Sequence, residues 1–235
     1  IILLIVLTLL FSFPIEAKKN NRPQQDTIPH REQVMHGLFD VYKVKNDWYF
    51  DVPDSILGRL ILTITRYVST PVDAGVYGGE MVNDQTLYWE KAVDNRLLLR
   101  SCILRASADN KGEINKAILT STENPIIGSF KIESSTGGKY KINVTKFFSD
   151  DSSPVSLSQR SKDAYNLGNL LSDRSFIKNI HSYPINTEVR TVKTYSSKAP
   201  DSRTQTGPHG RQSSILPAAA ETGCVTIQLN TSFVL

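Results

Sequence analysis

A chain of 235 residues, 40% hydrophobic and 21% charged, has the composition of an ordinary globular protein and the length for one or two domains with a real core. Lysine and arginine exceed aspartate and glutamate by 27 to 23, a net charge of +4 that is spread along the whole length. Nucleic-acid binding needs basic residues gathered into a patch or stripe on a recognisable module, so that class is excluded.

The chain opens on IILLIVLTLLFSF, followed by Pro14 and by Ile15-Glu16-Ala17 ahead of Lys18 and Lys19. This is the apolar region and small-residue end of a secretory signal peptide over 1–17, and it predicts export to the periplasm, outer surface or extracellular space. The run is too short for a spanning helix, which needs about 20 apolar residues, so no transmembrane span is expected. The start at Ile1, without a basic leader, and the stop at Leu235 inside a strand pattern read as a fragment of a longer protein. Residues 18–35, polar and proline-containing, read as a linker.

Strand signals then begin. LFDVYKV and WYFDV flank the short turn at Lys45-Asn46-Asp47 and predict a hairpin. PDSILG predicts a tight turn, with Pro53 fixing φ and Gly58 free to take a positive one. Leu60, Leu62 and Ile64 alternate with Thr63, Thr65 and Tyr67, and Asp73 to Glu80 reads as a loop. These elements make a small N-terminal β module over 36–82.

A second α+β module is expected over 84–235. TLYWEKAV and RLLLRSCILRA are joined at Asp94-Asn95 as a second hairpin, and Glu113 to Thr122 has helical spacing that ends before Asn124-Pro125. Phe130 and Ile132, then Tyr140, Ile142 and Val144, alternate on either side of a turn at Ser135–Gly138. Asp150 to Pro154 reads as a solvated polar loop. From Asp173 the pattern predicts a short helix, with Phe176, Ile177, Ile180 and Tyr183 on one face and Pro184 ending it. A half-buried strand follows, in which Ile185, Thr187, Val189, Thr191 and Tyr195 point one way and Asn186, Glu188, Arg190 and Thr194 the other. Residues 196–222, rich in Ser, Thr, Pro and Gly, read as a long exposed loop whose flanking strands pair. The fold class expected is therefore β-rich α+β: antiparallel sheets built from hairpins, with two or three short helices.

The residues themselves supply no reaction. None of His30, His36, His181 and His209 forms H-E-x-x-H, in which two imidazoles one helical turn apart reach one metal. His30 and His36 are six apart and fall on different helical faces, and His181 is expected at a helix end, where an imidazole meets the dipole. There is no G-x-S-x-G elbow. Ser134 to Lys139 has the look of a phosphate loop but lacks its spacing and runs into a strand, so it reads as a hairpin turn. Cys102 and Cys224 permit one disulfide only if their Cα atoms come within roughly 7 Å, and Cys102, inside LLLRSCIL, reads as a small buried hydrophobe. No catalytic or metal-ligating residue is assigned.

Three runs carry a resemblance: DRSFIKNIHSYPINTEVRTVKTY (Asp173–Tyr195), LFDVYKVKNDWYFDVPDSILGRLILTITRYVSTPVDAGVYGGE (Leu38–Glu80) and the strand pair over Thr86–Leu104. Together they resemble the N-terminal region of large secreted bacterial zinc-dependent metalloproteases, over roughly residues 36–196 with a further match near Glu221–Leu235. The resemblance implies a non-catalytic scaffold or substrate-presenting region. Its partners would be the chain's own downstream protease domain and that domain's peptide or protein substrate, and zinc would belong to the missing catalytic domain. The alternative is a stand-alone extracellular module that grips carbohydrate or protein on Trp48, Tyr49, Tyr67, Tyr77, Tyr88 and Trp89. A third option is a prodomain-like element that holds the protease inactive.

Overall fold

The computed structural model describes residues 33–103, 123–197 and 216–235. The apolar leader, His30, the helix expected over Glu113–Thr122 and His209 lie outside the described residues. The expected fold class holds: eleven strands, antiparallel in every pairing, and three short helices make up the described chain.

The hairpins form where turn chemistry and alternation agree. β1 (Asp40–Val44) and β2 (Asp47–Pro53) turn at Lys45, whose φ is +57°. A 3-10 turn at Asp54–Ile56 leads through Gly58, at φ +73°, to β3 (Ile61–Ser69). β4 (Met81–Lys91) and β5 (Arg96–Ser101) turn through Asn95 at φ +58°. β6 (Ile126–Thr136) and β7 (Lys139–Asn143) turn at Gly137 and Gly138 alone, both at positive φ, which is what a two-residue turn matched to strand twist requires. After β7 come α1 (Thr145–Ser149), α2 (Gln159–Ala164) and β8 (Leu167–Leu170). The chain then forms β9 (Phe176–Tyr183), β10 (Asn186–Ser197), α3 (Pro217–Thr222) and β11 (Cys224–Val234).

The strand order is β1-β2-β7-β6-β5-β4-β3-β11-β10-β8, with β9 also pairing to β10. Strands of the two expected modules thus interleave, β3 lying between β4 and β11. The first module forms no sheet of its own. Register shifts interrupt six of the ten pairings, and such bulges add twist, so the sheet curls. Its ends meet: the Leu38 N–H donates to the Tyr183 carbonyl at 2.7 Å, and Ser182 Oγ donates to the Phe39 carbonyl at 2.6 Å.

Inside the curl, Phe39 stacks on Phe50 at 4.9 Å between ring centroids. Trp89, Phe130, Phe147, Phe148 and Phe233 continue the network at 5.2–6.1 Å. Each such ring fully buried contributes about 1.5–3 kcal/mol by area alone. A second cluster, including Tyr67, Leu157, Tyr195, Leu216, Ala219 and Val225, lies at the other end of the long strands. Between the two, the inward positions are polar: Thr63 and Thr65 on β3, Thr231 on β11, Thr191 and Lys193 on β10.

Several expectations need correction. The helix predicted from Asp173 is a 3-10 turn at Ser172–Arg174 followed by strand β9, because Phe176–Tyr183 pairs along β10 and only Ile180 of its apolar residues is fully buried. Asp173 caps nothing and pairs with its neighbour Arg174 at 3.3 Å. His181 therefore sits mid-strand. Ile185 lies in the β9–β10 turn and is exposed. On β3 the apolar face Leu60–Leu62 is the exposed one, and the threonine face with Ile61 and Tyr67 is buried. Of the expected loop 196–222, Ser196 and Ser197 belong to β10 and Pro217–Thr222 to α3, while residues 198–215 lie outside the described residues. Its flanking strands do pair, from Ser196 opposite Cys224 to Asn186 opposite Val234.

Candidate functional site

Two places gather polar side chains, one buried and one on the outer sheet face. The buried one starts from β10. Its inward series Thr187, Val189, Thr191 and Tyr195 includes Lys193, whose side chain is fully buried. Lys193 Nζ donates to the Phe148 carbonyl at 2.8 Å and also to the Asp150 carbonyl. These are carbonyls at the C-terminal end of α1, left without intrahelical partners and carrying the negative end of the dipole. Thr65 Oγ1 serves the same inserted segment, donating to the Pro154 carbonyl at 3.0 Å while lying 2.8 Å from Thr231 Oγ1. Two members of the polar belt, Lys193 and Thr65, thus satisfy the backbone oxygens of Phe148, Asp150 and Pro154 where water is excluded.

Beside it, Asp151 Oδ1 accepts from Ser156 Oγ at 2.5 Å and from Tyr195 Oη at 2.9 Å, and Oδ2 accepts from Lys162 Nζ at 2.6 Å. The loop was expected to be fully solvated. Instead the Asp151 side chain, 30% exposed, turns one oxygen inward. Burial pushes this carboxyl up, but the hydrogen bonds from Lys162, Ser156 and Tyr195 outweigh it and hold the group below the ordinary range. Burial pushes Lys193 down to about 8, with the charges of Asp151 and Asp150 pulling it back. Burial also raises the Tyr195 phenol, against the hydrogen bond with Ser156. With its head group on backbone carbonyls and its stem enclosed, Lys193 offers no lone pair to a substrate. The cluster is a clamp. One sequence signal pointed to it: a lysine standing in the inward register of a strand.

The residues singled out from sequence do not converge. His36 Nδ1 lies 3.1 Å from Asp40, whose other oxygen accepts from Lys139 Nζ at 2.5 Å. Ser134 to Lys139 forms the β6–β7 hairpin end, as read. His181 Nε2 lies 3.3 Å from Asn179 Nδ2. Cys102 falls just past β5 and is half-buried rather than enclosed, and both Cys102 and Cys224 are free thiols. Of the six aromatic residues proposed as a gripping platform, Trp89 and Tyr67 are buried and Tyr77 is exposed, so they form no common surface. Among the described residues no group of three His, Cys, Asp or Glu is placed to hold a metal ion. No helix among them is long and apolar enough to cross a membrane.

The outer place is a cleft of about 330 Å³ on β9, β10 and β11, lined by Asn179, His181, Tyr183, Glu188, Arg190 and Asn230. Cross-strand register sets it out as a grid, with Asn179–Arg190–Asn230 in one row and His181–Glu188–Ser232 in the next. Adjacent strands are about 4.8 Å apart and alternate residues about 6.7 Å apart, so all six fall within reach of one small ligand. Glu188 is fixed: Oε1 accepts from Asn186 Nδ2 at 2.9 Å, and Oε2 from Asn230 Nδ2 at 2.5 Å and Ser232 Oγ at 2.6 Å. The alternation of β10 placed Glu188 and Arg190 on one face, but the partners from β9 and β11 come from pairing that sequence does not display.

The model described as "Domain of unknown function (DUF5118)" matches residues 22–70, and that described as "Domain of unknown function (DUF5117)" matches residues 79–235. No curated protein and no solved structure matches the chain. The second model spans β4 through β11, every strand of the clamp and the cleft except β3. With more than half of its residues matched, this chain belongs to the DUF5117 domain family.

Proposed function

We propose that the chain is the non-catalytic N-terminal region of an exported zinc-dependent metallopeptidase, a β-rich platform that packs against, shields or presents substrate to a protease domain outside it. The observation that carries this reading is the long irregular run Asp173–Tyr195, reinforced by Leu38–Glu80 and Thr86–Leu104, with their resemblance to such proteins. Those runs build β1 to β5, β9 and β10. The apolar leader over 1–17 supports export. Zinc would belong to the protease domain, where the two histidines of H-E-x-x-H would hold it and the glutamate would activate its bound water.

The gene tests it directly. Reading on from the codon for Leu235 should reach H-E-x-x-H, and several hundred codons without that motif would remove the peptidase. The purified chain, incubated with casein with and without a chelator, should show no metal-dependent cleavage. Such cleavage would place the hydrolytic residues within it and overturn the scaffold role.

A further inference from the structure

We infer that the outer cleft on β9–β11 is a binding site for an acidic sugar, a hydroxyl-rich ring bearing a carboxylate of the uronic-acid type. The argument begins with Arg190. The Arg190 side chain makes no hydrogen bond, ion pair or ring contact with any described residue, although Glu188 stands two positions away on the same face of β10. The reason is visible in the partners of Glu188. Its carboxylate is turned onto β11 and held there by Asn230 and Ser232, with Asn186 on the other oxygen. A guanidinium left open at the centre of a grid of fixed polar groups presents five N–H donors in a planar fork, the shape that receives a carboxylate in two parallel bonds.

The walls choose the rest of the ligand. Small-molecule pockets are mostly apolar, but here the lining is amide, imidazole, carboxylate and guanidinium, with Tyr183 adding a phenol ring. Asn230 spends its N–H₂ on Glu188 and keeps its carbonyl oxygen as an acceptor, and Asn179, whose N–H₂ faces His181, does the same. These acceptors suit hydroxyl groups. Tyr183, 49% exposed at the rim, offers a ring face against which the C–H side of a pyranose can lie. A peptide side chain would find almost no apolar wall here. The inference does not depend on the peptidase reading, since downstream sequence decides that one and ligand binding decides this.

The test is calorimetric titration of the full chain with a short oligogalacturonate, a neutral galacto-oligosaccharide of equal length, and sodium sulfate. Saturable binding of the oligogalacturonate is expected, with the neutral sugar and sulfate each at least about tenfold weaker, the loss of one charge-assisted contact set. Arg190→Gln should weaken oligogalacturonate binding about tenfold or more and leave the neutral sugar unaffected. Tyr183→Ala, which leaves the guanidinium in place, should weaken both sugars and not sulfate, and thermal unfolding checks that each variant is folded. No saturable binding of oligogalacturonate overturns the inference. So does equal binding of the neutral sugar, equal binding of sulfate, or undiminished binding in folded Arg190→Gln.

Discussion

At the scale of single residues, the telling one is Lys193. A charged group in a strand's inward series costs several kcal/mol unless paired, and here the pairing is with backbone oxygens at the end of α1. Its folded pKa of about 8 lies below the ordinary 10.5, so between those values the unfolded chain binds more protons than the folded one. Stability contributed by this group therefore rises with pH across that window. Below it both states are protonated, and the full cost of burying the charge remains. Tyr195, Tyr165 and Tyr67, all raised above 10 by burial, pull the other way once the pH passes 10, so the rise is cleanest between about 8 and 10. Denaturant unfolding of the wild type should show it. Lys193→Met should abolish the rise and cost roughly 1–3 kcal/mol at neutral pH, since the Phe148 and Asp150 carbonyls lose their donor. A Lys193→Met protein that keeps the same slope would assign the titration to another group.

Among the elements, hairpins were legible because their determinants are local. Gly137-Gly138 carries its own positive φ, and the alternation of Phe130–Ile132 and Tyr140–Ile142 fixes which faces turn inward. β9 was not legible. Phe176, Ile177, Ile180 and Tyr183 fit a helical period as well as anything, and what decides for strand is the row of partners on β10, from Asn186 opposite Tyr183 to Val192 opposite Phe176. The same limit hid the cleft, whose residues come from three strands, and the polar belt, where threonines rather than leucines of β3 face inward. β9 also closes the sheet against the residues leading into β1, and that contact rests on a glycine. A Cβ on Gly37 would sit 2.5 Å from Ser182 Oγ and from the Tyr183 backbone N and O, closer than any real contact. Gly37→Ala should therefore push the Leu38–Tyr183 hydrogen bond apart and lower stability by about 1–3 kcal/mol. Hydrogen exchange at the Leu38 amide should accelerate before the rest of the sheet. Unchanged exchange there would mean the closure adjusts without strain.

For the whole molecule, the two family segments do not coincide with two folding units. The boundary between residues 70 and 79 falls in the β3–β4 connection, yet β3 lies in the sheet between β4 and β11. β1 and β2, from the same N-terminal segment, extend it beyond β7. Removing the first segment would leave β4, β11 and β7 each with an unpaired edge, a row of N–H and C=O groups facing water or another chain. It would also strip Phe39 and Phe50 from the aromatic network, so that Trp89, Phe148 and Phe233 each lose a ring contact. Residues 79–235 expressed alone should accordingly lack a cooperative thermal transition and tend to associate. Residues 33–78 supplied in trans should restore the transition, because the missing strands bring their own partners' register with them. A sharp, concentration-independent melt from 79–235 by itself would mean that β4 and β11 close on each other without β3, and that the interleaved order is not what holds this sheet together.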